Sequence, residues 1–444
     1  MGQDTRPDLV VKGGTVLTMA EGQPPMHEAD VLVKNGRIAV VQPSSRAGVE
    51  GWSGVETIDA SHGIVMPGLI NAHCHSAMTI FRGYADELPL KRWLFDKIFP
   101  AEAGFLSRET VYRGTLLACL EMIASGTTSF VDGYFFEDGA ARAVHQSGLR
   151  ALLAQGVIDF PAPGVADPAD NLMVGQAFLE KWRGVSERIV PGLFCHSPTT
   201  CSEKTLAGAR DISNRMDLPL QIHLSETREE VEKIRKEKGK RPVEYLDAIG
   251  LLSEGLIAVH AVYTDAAEVA LMAERGAKVA HVPESNMKLG CGAADVSAMM
   301  DAGLTVGLGT DGCASNNNLD MFQEMDTAAK LGKVITRDPQ CLSARDVLEM
   351  ATVRGAALMG MEKELGTLEK GKRADIVVVN MNAPHLCPGY DPFSALVYAA
   401  NGADVSHVVV DGKILYRDGR FLTLDAEEIM ARVREIGRRI AGAQ

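Results

Sequence analysis

The amino-acid sequence predicts an α/β protein: a parallel (β/α)8 TIM-like barrel with a small β-sandwich domain built from both chain termini. Three observations point there. The middle of the 444-residue chain alternates eight strand-like segments with helical patterns, the texture of parallel strands joined by crossover helices. Both ends instead carry short alternating strands punctuated by glycine turns. Histidines and an aspartate recur where the central strands run out, and a barrel of this kind gathers its chemistry there. The length alone allows about three ordinary domains, but a barrel with appendages fills it as well.

From the start, VVKGGTVLTM, DVLVKNGRIAVV and ETIDASHGIVM read as strands, with Asn35-Gly36 as a hairpin turn. The same texture returns in ADIVVVNM (374–381) and VSHVVVDGKILYRDG (405–419), where Asp411-Gly412 is the turn. Residues 1–65 and 365–424 are therefore expected to form one composite β domain, 66–364 the barrel, and 425–444 a C-terminal helix. The barrel strands are predicted at 64–73, 128–134, 150–158, 189–196, 219–225, 256–262, 278–283 and 305–310. Between the first two, SRETVYRGTLLACLEMIASG (107–126) carries a helical stripe of Val111, Leu116, Leu120 and Ile123, with Ser107 as cap and Gly126 as stop. Ser202 and Thr264 are expected to cap two later helices. REEVEKIRKEKGKRP (228–242) reads as a solvated helix rather than a basic binding patch. An open doubly wound sheet is the alternative, but no Gly-x-Gly-x-x-Gly follows a strand, which also argues against a dinucleotide site.

Composition narrows the function classes. A net charge of −13 argues against a nucleic-acid or anionic-membrane surface. No segment is long and apolar enough to span a bilayer. The opening MGQDTR lacks the apolar core of a signal peptide, and Arg6 stands where myristoylation wants Ser or Thr. Eight cysteines are scattered without a Cys-x-x-Cys pair. They read as reduced thiols of a cytoplasmic protein, not as a zinc cage.

The stretch GLINAHCHSAM (68–78) ends an apolar run with His73 and His75, two apart and so on one face of a strand. The other strand ends supply His196 (FCHSPTT), His223 with Glu226 three residues on (QIHLSET), His260 (IAVHAVY) and Asp311 (VGLGTDG). One such histidine is ordinary; five of the chain's 11 at matching places are not. His73, His75, His223 and Asp311 make a three-histidine, one-carboxylate site of the kind that holds a catalytic metal and leaves a position for water. A metal held there would bring a water pKa from about 16 toward about 7. A second, bridged metal would need a lysine or carboxylate at the fourth strand, which offers His196 instead, so a single metal is expected. Glu226 is placed to shuttle a proton, although an acid there also suits a helix start. Asp311 can share that transfer, and His260 can polarise the water or a developing oxyanion.

These residues resemble the amidohydrolase superfamily. VMPGLINAHCHSAMTIFRGYADELPLKRWLFDKIFPAE, with HLSET, VAHVPESNMKLG, VGLGTDGCASNNNLDMF and GTLEKGKRADIVV, is similar to the 5′-methylthioadenosine/S-adenosylhomocysteine deaminases and their triazine-hydrolase relatives, over nearly the whole chain. The resemblance implies a homo-oligomeric enzyme, dimer or tetramer, with one divalent metal, zinc or else iron. Hydroxide would attack C6 of an adenine ring, Glu226 would protonate N1, His260 would steady the water, and Asp311 would relay its proton as ammonia leaves. It also implies that Trp93 and Glu102 close over a nucleoside, with Glu102 accepting from the ribose hydroxyls. His196 would contact the purine, and Ser315 would lie near the 5′ substituent or the pocket rim. Trp93 and Glu102 also fit a helix face and a helix start. Members that accept S-adenosylhomocysteine offer arginines to its carboxylate. Here Gln155 occupies one such place, and the loop FPAPGVADPADN has no basic residue, which favours a small uncharged 5′ group. A guanine, 8-oxopurine or s-triazine hydrolase on the same fold is the rival expectation, and a scaffold that has lost its chemistry a remote one.

Overall fold

Residues 6–44 and 54–442 are described by the computed structural model; the opening MGQDT lies outside them. Short runs of Val and Ile, each broken by a turn, give the early strands β1 (Leu9–Val16), β2 (Met26–Lys34), β3 (Arg37–Pro43), β4 (Glu56–Asp59) and β5 (Gly63–Pro67). The next strand, β6 (Leu69–Cys74), opens the barrel. β7 (Thr127–Tyr134), β8 (Arg150–Val157), β9 (Ile189–Cys195), β10 (Leu220–Leu224), β11 (Leu256–His260), β12 (Lys278–His281) and β13 (Thr305–Leu308) continue it in sequence order. All seven neighbouring pairs are parallel. β13 closes onto β6 just past its own end, where the backbone N–H groups of Thr310 and Asp311 donate to His73 O at 3.1 and 3.0 Å.

The first barrel strand is shorter than expected. The predicted span 64–73 breaks at Pro67-Gly68, and its front half, β5, belongs to the other sheet. Proline supplies no N–H to carry a ladder onward. Gly68 then lets the backbone pass so close to β7 that a Cβ would overlap the Thr128 side chain. One helix cap also shifts: Asp265, not Thr264, caps Ala266–Glu274, accepting from the N–H groups of Ala267 and Glu268, since a carboxylate can accept from both orphan donors. Ser107 and Ser202 cap as expected.

The late strands are β14 (Ile376–Asn380), β15 (Val405–Val410), β16 (Lys413–Arg417) and β17 (Arg420–Phe421). They join the early ones in one mixed sheet of order β17-β16-β15-β14-β5-β1-β2-β3, with β4 beside β1. The two hairpin turns read from sequence both adopt left-handed backbone, Asn35-Gly36 at φ +52° and +73°, and Asp411-Gly412 at φ +48° and +73°, as a two-residue turn of this kind requires. They meet each other: a Cβ on Gly36 would lie 2.8 Å from Asp411 O. The sheet thus folds over a core of its own, including Val11, Val31, Ile38, Val65, Ile376 and Val409.

Inside the barrel, alternate residues such as Ile70, Ala72, Leu152, Ala154, Phe194, Val259 and Ala280 fill the floor. The chain between β6 and the helix Arg108–Ala124 arches over the strand ends, as a 3-10 turn (Ser76–Phe81), a wide turn (Trp93–Ile98) and a helix (Phe99–Phe105). No described helix is long and apolar enough to cross a membrane, and all eight cysteines are free.

Candidate active site

Side chains from separate strand ends converge under the arch. One potential ligand atom from each of His73, His75, His223 and Asp311 lies within 4.8 Å of the others. His75 Nε2 is 3.2 Å and His73 Nε2 3.6 Å from Asp311 Oδ1. The outer nitrogens are engaged: His73 Nδ1 donates to Gln221 Oε1 (3.2 Å) and His75 Nδ1 to Gly133 O (2.6 Å). That fixes the tautomer and aims both Nε2 lone pairs inward. The Nε2 atoms of His73 and His223 are buried with no hydrogen-bond partner among the described residues. Converging buried lone pairs beside a carboxylate, with no donor to meet them, are what a divalent metal satisfies, so the donor set fits one metal ion.

The residues expected to act as acid and base surround this cluster. Glu226 Oε2 lies 3.7 Å from His260 Nε2. Burial, then the charges of Asp311 and Glu230, pushes the Glu226 pKa up to about 8. Burial holds His260 down at about 3 and His196 at about 4, so both rings are neutral at pH 7. Ser225 (φ +52°), His260 (φ +75°), Ala261 (φ +50°) and Asp311 (φ +60°) hold left-handed backbone here without being glycine. Such conformations cost energy and persist only where the surroundings enforce them.

A cavity opens above the cluster. Its wall is mostly apolar (Met78, Leu90, Leu94, Phe99, Phe135, Leu289), and its polar edges are His75, Glu102, His196, His223, Glu226, His260 and Asp311, with Trp93 and Tyr134. Trp93 is 6% exposed, and its indole N–H has no partner among the described residues. Glu102 is buried, with a pKa raised by burial to about 7 against the pull of the Tyr134 hydroxyl, which donates to Oε1 at 2.6 Å. His196 lines the wall, its Nδ1 3.0 Å from Thr200 Oγ1.

Two expected substrate-binding residues are not on this wall. Gln155 lines a second cavity outside the barrel, with Arg108, Asp138 and Lys181. Its neighbours Ala154 and Gly156 take the inward positions, so strand parity turns Gln155 out, where its Oε1 accepts from Glu137 N–H (3.2 Å). Ser315 is buried behind Asp311, donating to its Oδ2 at 3.0 Å, and does not reach the rim. Sequence reasoning also passed over Gln221, Tyr134, Asn286 and Cys291. Only Gln221 had a local signal: it stands two residues before His223 and therefore on the same face of its strand.

Comparison with known proteins places the chain in a family. The amidohydrolase family model matches residues 64–415. A 5-methylthioadenosine/S-adenosylhomocysteine deaminase of Syntrophobacter fumaroxidans is 46% identical over 98% of this chain and 99% of its own length. A 5'-deoxyadenosine deaminase of Methanosarcina mazei is 44% identical over 96% of this chain and 99% of its own. Among solved structures, an adenosine deaminase from Xanthomonas campestris with bound zinc superposes with a TM-score of 0.95 at 36% identity, covering 98% of this chain and 99% of that one.

Proposed function

The chain belongs to the amidohydrolase family, and from that premise we propose that it is a metal-dependent hydrolytic deaminase of adenosine-type nucleosides. Its products are the inosine analogue and ammonia. One observation carries this: the ligand set His73, His75, His223 and Asp311 lies beside Glu226 and His260 at the floor of a cavity that Trp93 and Glu102 help to enclose. The adenine nucleosides in the names of the relatives support the substrate class. Zinc is the metal this reading favours, because imidazole nitrogen and carboxylate oxygen suit it and the Xanthomonas structure holds it.

When bound, the metal supplies the acidification of water that hydrolysis at neutral pH needs. The chain's own residues manage the protons. In the reaction the C6–N bond breaks and a C6–O bond forms, and the water's two protons end on N1 and on the departing amino group. Glu226 takes a proton at its carboxylate and delivers it to N1; a pKa near neutrality suits that double duty. His260 orients the incoming water through Nε2, and Asp311 passes the second proton to the amino nitrogen. Glu102 accepts from the ribose 2′ and 3′ hydroxyls, with Tyr134 fixing its other oxygen. His196 contacts the purine edge, and Trp93 covers the sugar. Among the described residues, neither lysine nor arginine lines the cavity, so a terminal carboxylate finds no cation there. A small uncharged 5′ group, as in 5′-methylthioadenosine, 5′-deoxyadenosine or adenosine, is favoured on that ground rather than on Gln155.

The test is a substrate panel on metal-replete protein, following ammonia and the loss of adenine absorbance. Adenosine, 5′-methylthioadenosine and 5′-deoxyadenosine are expected to turn over, with S-adenosylhomocysteine lagging. Activity confined to guanine, an 8-oxopurine or a chloro-s-triazine would overturn the reading. An E102A variant that leaves nucleoside turnover intact would remove Glu102 from the ribose contacts.

A further inference from the structure

One short segment reaches all three acid–base groups. On the helix Pro283–Lys288, Ser285 Oγ donates to Asp311 Oδ2 at 2.6 Å, and the Asn286 amide holds His260 Nδ1 at 2.9 Å. In the turn that follows, the Cys291 thiol donates to Glu226 Oε1 at 3.3 Å. The turn is shaped for that contact. Cys291 N–H donates to Asn286 O at 2.9 Å. Gly290 (φ +68°) and Gly292 (φ +129°) bend the chain on either side, and a Cβ on Gly292 would come within 2.9 Å of the Tyr263 hydroxyl. Cys291 is 5% exposed.

We propose that Cys291 is a positioning residue for Glu226, holding one carboxyl oxygen so that the other faces the reacting centre. Among the described residues, the thiol makes the only hydrogen bond to the Glu226 carboxyl group. The backbone is fixed separately, through Ser225 and Glu226 N–H groups donating to Glu230 at 3.1 and 2.9 Å. Without the thiol, the side chain turns about its own torsions on a pinned backbone. With it, Oε1 is engaged and Oε2 points to His260 Nε2. Burial and the neighbouring carboxyl push the thiol pKa well up, so the sulfur keeps its hydrogen and donates rather than repelling Glu226 as a thiolate.

The kinetic arm of the test rests on the deaminase reading. In C291A, kcat is expected to fall ~10-fold or more, the scale of a misplaced proton carrier, with KM little changed. C291S, which restores a donor, should recover most of that loss. If C291A fails to fold, C291V fills the space without a donor and carries the same expectation. Wild-type kcat in a donor-less variant, or equal impairment of C291S and C291A, would overturn the proposal. The second arm needs no substrate. The infrared difference between wild type and C291S isolates the Cys291 S–H stretch, which should move to higher frequency in E226A as the acceptor is lost. A band indifferent to E226A would overturn the contact itself. A band that moves in a wild-type protein that deaminates no adenine nucleoside would overturn the substrate reading and leave the positioning role supported.

Discussion

Two buried polar clusters lie at opposite ends of the barrel strands and follow opposite rules. At the start of β8, the fully buried Arg150 meets Asp411 at 2.8 Å and Asp375 at 3.4 Å, and donates to Glu187 O at 3.1 Å. Arg373 adds a second cation to Asp411 at 2.9 Å. Each carboxylate has a guanidinium, and the network ties the barrel to the terminal sheet through the segment before β14 and the β15–β16 turn. At the other end, His73, His75, His223 and Asp311 converge with no lysine or arginine among them, and two imidazole nitrogens have no partner among the described residues. The first cluster is completed by the protein; the second asks for something from outside. Buried charge is therefore no sign of function in itself. Unmet, converging lone pairs are.

Removing one member of each cluster should separate the two rules most sharply. H223A is expected to lose the metal and at least ~10³-fold in activity, while the metal-free form melts within about 1 kcal/mol of metal-free wild type, because no cation is stranded. R150A should do the reverse. It strands the buried Asp375 carboxylate, while Asp411 keeps Arg373, and costs about 3–5 kcal/mol, with metal stoichiometry and kcat per folded molecule retained. Melting curves with and without chelator, together with metal analysis, decide it. A large stability loss in metal-free H223A would make the upper cluster structural glue as well and erase the distinction.

A smaller effect should appear in pH. The folded-state pKa of Glu226, raised by burial to about 8, lies above the ordinary carboxyl value of about 4.3. Between these values the folded metal-free protein binds more protons than the unfolded chain. This contribution to stability is fully present below the unfolded pKa and is lost as pH rises through the folded one. E226Q removes the titration. Relative to wild type, metal-free E226Q should therefore gain stability, on the order of 1–3 kcal/mol, as pH rises from 5 to 8. Parallel melting curves over that range would mean that Glu226 is solvated and free of the field described here.

The sequence showed the barrel because its signals are periodic and local: apolar runs end in a histidine or aspartate, and helices have caps. His73, His75, His223 and Asp311 were legible for the same reason, being rare residue types at equivalent strand ends. The break at Pro67-Gly68 was not, since the apolar run continues unbroken while the strand changes sheet. The partners of the acid–base groups lie further beyond reach. Tyr134 meets Glu102 across 32 residues, and Cys291 meets Glu226 across 65. Only tertiary packing makes those pairs, and no spacing announces them. Ser315, expected near the 5′ substituent or the pocket rim, is turned back onto Asp311 by the loop after β13, a fold of the chain that no spacing shows.

Gln155 gives the finest test of the contrast between meeting a ligand and serving the protein. Family likeness assigns a position, but strand parity assigns a side. The residues before and after Gln155 face inward, while its own amide oxygen accepts from Glu137 N–H at the start of the helix Glu137–Ser147. Q155A should therefore leave kcat and KM for 5′-methylthioadenosine within about twofold, and lower stability by about 1 kcal/mol through the orphaned N–H. Q155R should not create turnover of S-adenosylhomocysteine, because the new guanidinium would enter the outer cavity beside Asp138 rather than the nucleoside site. A gain of that activity in Q155R would show that the wall between the two cavities yields to the substrate. Gln155 would then move from the protein's own hydrogen bonding into the determinants of specificity.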